Sequence, residues 1–432
     1  MFSRYSRRSM LAATAGLALS ITFAGHALAA DPVTISFLYD NNPATIAAAE
    51  KLVADFESKN PDIKIETETR PGGGDGDNLV KTRLATGEMS DVFLYNSGSL
   101  FQQINPEKNL VDLSGEAWQA NILDGFKKVV TAGGNQYGAP IQTAMGGGVL
   151  YNKKVFAKLG LSVPKTWAEF EANNAKLKAA GIAPVIQTFK DTWTSQLFVL
   201  GDFFNVAATN PTFAADYTAN KAKYATTPAA MKGFQRQEEV FKNGYLNADF
   251  AAATYNDGLS ELTAGTGAQY PMLSFAVAAI AKDHPDQLND IGFFALPGDD
   301  AAKNGLTTWM PPGVYIPKST KHEAEAKKFV AYIASKEGCD SQTAGAGATG
   351  PYLVKGCTLP KDVPPAVADL LPYFQSDATN APALEFLSPV KGPSLEQITV
   401  EVGSGIRSAA DGAALYDEDV KKQAQQLGLA GW

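Results

Sequence analysis

The sequence predicts an α/β protein of at least two lobes, and three observations carry that prediction. Short β-branched and aromatic runs alternate with amphipathic helical stretches from the first ordered segment onward. The length, 432 residues, exceeds what one hydrophobic core encloses, since single cores stop growing near roughly 250–300 residues. The composition is that of an ordinary globular chain, 45% hydrophobic and 19% charged, which excludes collagen-like, low-complexity and disulfide-framework classes.

The elements follow in order. Residues 1–29 have the layout of a cleaved export signal. Arg4, Arg7 and Arg8 form a positive start, Met10–Gly25 is uncharged and apolar, and Ala27-Leu28-Ala29 offers small residues for cleavage. The apolar stretch is shorter than the roughly 20 residues of a membrane span. Ser6-Arg7-Arg8-Ser9-Met10-Leu11 also has the form of a twin-arginine signal. No cysteine stands at the cleavage site, so a free periplasmic protein is expected and a lipid anchor is not. The formal charge of −8 becomes more acidic once the leader arginines are removed. An acidic body without a basic tract argues against nucleic acid and anionic membranes as partners.

Val33–Tyr39 alternates as a strand, Pro43 opens a helix whose stripe runs from Ala47 to Phe56, and Ile63-Lys64-Ile65 is a second strand. Gly72-Gly73-Gly74 is expected as a loop before a helix at Leu79–Thr86, and Asp91–Tyr95 as a third strand. This β-α-β-α-β order predicts a parallel sheet covered by helices. After Gln142, Gly146-Gly147-Gly148 is expected where the chain turns or flexes, ahead of a strand at Val149–Asn152. Helices are expected near Val155–Leu159, Trp167–Ala180 and Ala229–Phe241. Strands return at Ile291–Leu296 and Gly313–Pro317, before an amphipathic helix at Glu323–Ser335.

Chemistry-bearing motifs are scarce. Gly345-Ala-Gly-Ala-Thr-Gly350 spells G-x-G-x-x-G, but it follows a helix and precedes Pro351, the wrong context for a dinucleotide. No zinc-protease or nucleophile-elbow motif occurs, and no metal or cofactor is expected. Cys339 and Cys357, an even pair in an exported chain, are expected to form one disulfide. The informative residues are polar groups after strands, where α/β sheets bind ligands. They are Asp40, Asn41 and Asn42 after the first strand, and Asn96 and Ser97 after the third. Trp193, Phe275 and Trp309 stand outside apolar stripes, as aromatics that stack on sugar rings do.

Tyr137-Gly-Ala-Pro140, Leu150-Tyr-Asn-Lys153, Phe156, Gly160-Leu161 and Pro164-Lys-Thr-Trp167 with Glu169-Phe170 resemble a run found in bacterial extracellular solute-binding proteins of the maltose-binding-like group. The resemblance extends over the whole mature chain. It implies a type II periplasmic-binding-protein fold of two α/β lobes joined by a hinge. It also implies a carbohydrate captured between the lobes and passed to the membrane permease of an ABC importer, by a protein expected to be monomeric. Lobe one would comprise 31–142 with 292–320, and lobe two 143–291 with 321–432. The ligand-facing set on this analogy is Asp40–Asn42, Asn96, Ser97, the hinge residues Gln142 and Met145, Trp193, Phe275, Trp309 and Glu385. Ser274-Phe275 stands where the family usually has Gly-x-Trp. A secreted carbohydrate-active enzyme and a binder of a non-sugar solute such as a polyamine are the alternatives.

Overall fold

A computed structural model describes residues 31–376 and 378–432; the export signal read at 1–29 lies outside them. In chain order the strands are β1 Val33–Asp40, β2 Ile63–Arg70, β3 Val92–Tyr95, the short pair β4 Thr131–Ala132 and β5 Asn135–Gln136, β6 Gly138–Pro140 and β7 Met145–Asn152. They continue with β8 Ala183–Val185, β9 Gly267–Leu273, β10 Ile291–Ala295, β11 Leu306–Trp309, β12 Gly313–Tyr315 and β13 Asn380–Pro382. They build two main sheets. The first has the order β2-β1-β3-β12-β6, and the second β13-β11-β7-β9-β8, with β10 also paired to β7.

β1 runs parallel to both β2 and β3, as β-α-β-α-β demands. The sheets as wholes are mixed rather than parallel. β12 is antiparallel to β3 and β6, and β7 is antiparallel to β9, β10 and β11. Local periodicity identifies a strand but carries nothing about the direction of a partner that arrives far later in the chain.

The helices sit where their apolar stripes place them. Helix α1, Pro43–Lys59, starts on Pro43 behind the Asn42 cap and buries Ala48, Leu52 and Phe56. Helix α2 spans Gly73–Thr86, so Gly73 and Gly74 form its first turn and not a loop. The glycine run at 146–148 lies inside β7. A methyl group on Gly147 would fall 2.1 Å from the Trp309 ring, and one on Gly148 2.4 Å from the Phe294 carbonyl oxygen. Those glycines let neighbouring groups approach, rather than turn the chain.

The division of the late chain differs from the expectation. β10 and β11 belong to the sheet of β7, so 291–309 lies in lobe two. The helices Glu323–Ile333 and Lys336–Ala346 belong to lobe one. Phe329 packs edge-on against Phe37 and Phe56, with ring centroids 5.3 and 5.0 Å apart. Leu353 and Val354 join the same core. Lobe two resumes where Ala366, Val367 and Leu370 pack with Ile291 and Phe293. The chain therefore crosses between lobes three times, at 141–144, at 310–312 and after Cys357. An amphipathic helix shows which face it buries but not which sheet it buries it against.

Cys339 and Cys357 are joined, with Cα atoms 6.1 Å apart. The disulfide closes a segment that leans on the first crossing. Ala144 N–H donates to the Pro351 carbonyl (2.8 Å), and the Thr143 and Thr349 hydroxyls meet at 3.1 Å.

Candidate functional site

Parallel pairing in register sets Asp40 beside Arg70 at the carboxyl ends of β1 and β2, with Tyr95 ending β3 one strand along. Their edge faces lobe two. Asn41 and Asn96 are exposed there. Asn41 N–H is held by the Arg70 carbonyl at 2.9 Å. Asn42 caps α1 by accepting from Ala44 N–H (3.0 Å), and Asp40 accepts from Asn42 N–H (3.0 Å). Asp40 and Asn42 thus shape the loop whatever else they do.

Lobe two presents a panel of three aromatic rings. Trp193, in the 3₁₀ turn Thr192–Gln196, lies 5.5 Å from Tyr255 and 6.0 Å from Phe275, and the last two are 5.9 Å apart. Trp193 and Phe275 are half-buried. Burial pushes the Tyr255 phenol well above its ordinary range, and Asn42 and Asp40 of lobe one are among the groups acting on it. Tyr255 heads a helix, Tyr255–Ala264, and nothing in the sequence singles it out. Its membership in the panel is visible only in three dimensions.

Other expected residues take different places. Ser97 is buried and donates to the Pro311 carbonyl (2.9 Å), so its hydroxyl joins the second crossing. Gln142 adopts φ 69°, a left-handed conformation unusual for a residue with a side chain. Its N–H donates to Gln342 and its side-chain amide to Thr45 (3.0 Å), which makes it a hinge residue. Met145 packs with Trp309 and Ala383 in a small core. Trp309 lies in lobe two, not lobe one, and is 6% exposed; its indole N–H donates to Glu385. Glu385 also pairs with Lys391 (3.2 Å). Trp309 is packed on β7, over Gly147.

The lobes touch around this face. The Trp193 side chain lies 3.3 Å from where a Gly73 methyl group would stand, and Glu396 lies 3.2 Å from the same point. A methyl group on Gly98, whose φ is 74°, would meet the Glu385 carbonyl at 2.5 Å. The described residues contain no cluster of three or more His, Cys, Asp or Glu side chains fit to hold a metal ion. None of their helices is long and apolar enough to cross a membrane.

The family model described as "Bacterial extracellular solute-binding protein" matches residues 40–338. The chain is 28% identical over 344 residues to the "Multiple sugar-binding protein" of Streptococcus mutans, covering 77% of this chain and 78% of that one. It is 23% identical over 320 residues to the "Putative ABC transporter periplasmic-binding protein YcjN" of Escherichia coli, covering 70% and 68%. Among solved structures it resembles a "Chitin oligosaccharide binding protein" (TM-score 0.78, 22% identity, 91% of this chain and 100% of that one). It also resembles "SBP RafE in complex with raffinose" (TM-score 0.74, 24% identity, 91% and 99%). At such identities the structural likeness establishes the fold, a two-lobed type II architecture.

Proposed function

Because the chain belongs to the bacterial extracellular solute-binding proteins, we propose that it captures a carbohydrate between its lobes and hands it to the permease of an ABC importer. The observation that carries this reading is the Trp193–Tyr255–Phe275 panel of lobe two, whose Trp193 lies against Gly73 just past the end of β2 in lobe one. Aromatic faces take the C–H side of a sugar ring, while amides and carboxylates reach its hydroxyls. The sugar-binding name of the Streptococcus relative supports the same ligand class. The leader-like residues 1–29 support export to the periplasm, and the Cys339–Cys357 bond suits such an oxidising space.

Capture follows from two rigid lobes on three crossings. A ligand that touches both lobes stabilises the closed arrangement by the difference between its affinities for the closed and open states. No bond of the ligand is expected to change. Calorimetry against raffinose, maltotriose, xylotriose and chitotriose, with chromatography of the recovered sugar, tests both parts. Binding of at least one unaltered sugar is the expected result. Failure of every sugar to bind, or recovery of cleaved products, rejects the reading.

A further inference from the structure

The run Gly345-Ala-Gly-Ala-Thr-Gly350 has the letters of a dinucleotide loop but not its place, and the structure shows what its glycines permit. It begins on the last turn of the helix Lys336–Ala346 and lies inside the loop closed by Cys339 and Cys357. A methyl group on Gly345 would fall 2.5 Å from the Ala47 carbonyl oxygen of α1. One on Gly350 would fall 2.0 Å from the Ala144 carbonyl oxygen of the first crossing. Gly347 takes φ 76°, where a side chain is strained. The run is thus pressed against lobe one at its start and against the pivot at its end.

The base of this segment belongs to lobe one. Leu123 N–H donates to the Leu353 carbonyl (2.9 Å), Lys355 N–H to the Asn121 carbonyl (2.8 Å), and the Tyr352 hydroxyl to the carbonyl of Cys339 (3.2 Å). Its apex reaches away. The Thr349 hydroxyl meets Thr143, and the Pro351 carbonyl accepts from Ala144, both on the first crossing. The Thr349 carbonyl accepts from the Ser274 hydroxyl of lobe two (3.1 Å), and Ser274 in turn accepts from Gly146 N–H of β7 (3.1 Å). Phe275 of the aromatic panel is the next residue. A cavity of about 30 Å³ lies beside these bonds, lined by Thr45 and Ala48 of lobe one, Phe275 and Ala278 of lobe two, and Gln342 and Gly347. It leaves room for the lobes to turn about the apex.

Glycine loses more backbone freedom on ordering than any other residue, so an apex built on three of them is costly to hold in place. The Cys339–Cys357 bond lowers that cost by closing the loop at its base. The apex bonds are formed with the lobes in contact, where Trp193 lies against Gly73. We propose that residues 347–351 are a pivot strap whose grip depends on the Cys339–Cys357 disulfide, so that the disulfide-bonded protein closes more readily and holds its sugar more tightly than a molecule without the bond. Apparent affinity rises with the fraction of molecules already in the binding-competent arrangement, so a strap that favours closure tightens binding without touching the sugar.

The affinity part of this inference rests on the carbohydrate reading, and the test separates the two. Cys339→Ser/Cys357→Ser removes the covalent tie. Thr143→Val/Thr349→Val removes the hydroxyl pair at the apex and keeps its shape. Melting curves set a temperature at which parent and variants are folded, and the valine variant carries both measurements by itself if the cysteine variant does not fold. Small-angle X-ray scattering without sugar reads closure, and calorimetry with raffinose, maltotriose, xylotriose and chitotriose reads affinity. The cysteine variant is expected to show a larger radius of gyration than the parent and about tenfold weaker binding of whichever sugar the parent takes. The valine variant is expected to shift both in the same direction by less. Radii of gyration equal to the parent's, or sugar affinities equal to the parent's, overturn the strap and leave the carbohydrate reading untouched. If the parent binds no sugar, that reading falls, and the scattering comparison still decides the strap.

Discussion

Trp193 and Trp309 answer differently to the same substitution, because one faces the cleft and the other is packed inside lobe two. Trp193→Ala is expected to cost about 1–3 kcal/mol in sugar affinity, roughly ten- to hundredfold, with little change in melting. Trp309→Ala opens a cavity against β7 and is expected to lose about 3–5 kcal/mol of stability, which chemical denaturation reads directly. Asn42→Ala removes a helix cap and should cost about 1 kcal/mol of stability before any ligand is added. Glu261 titrates in a different way. Burial first, and Asp249 second, lift its pKa to about 7. An acid whose pKa is raised by folding holds an extra proton in the folded state, so it loses stability as pH rises from its ordinary range to about 7. Glu261→Gln is therefore expected to melt like the parent at pH 4 and above it at pH 8. A difference that does not change between those pH values would refute the assignment. At this scale, strand-end residues were legible because polar groups after strands are visible in any sequence. The rule that picked Asn41 and Asn96 applies equally to Arg70, which ends β2. The sequence pattern Ile63-Lys64-Ile65 shows only the start of that strand, and so Arg70 went unread.

Among the elements, periodicity placed β1, α1, β3 and the helix Glu323–Ile333 within a residue or two, because each buries one continuous face. Glycine misled twice, at 72–74 and at 146–148, where it marks close approach and not a break. The segment closed by Cys339–Cys357 was legible as a disulfide but not as a hinge support. Its contacts reach Thr143, Ala144 and, through the Thr349 carbonyl, the Ser274 hydroxyl of lobe two at 3.1 Å. Replacing both cysteines by serine is expected to lower stability by about 3 kcal/mol on the loop-entropy picture. Denaturation of the oxidised parent against the double variant measures it; equal midpoints would mean that the bond constrains nothing the fold does not already hold.

For the molecule as a whole, the two-lobed α/β architecture was readable, whereas the allocation of the late chain to lobes was not, since it depends on pairings across more than a hundred residues. The strand β12, Gly313–Tyr315, sits between β3 and β6 in the interior of the first sheet. A fragment of residues 31–142 lacks that strand and is expected to remain without cooperative unfolding in circular dichroism. The same feature bears on how the protein is made. At about 5–20 residues per second of synthesis, the half-built first sheet waits roughly 10–35 s for β12 to emerge, with one edge of β3 open and β6 without its partner meanwhile. Through that interval two open strand edges are available to any other chain, so a newly made molecule needs shelter in its first half minute more than at any later time.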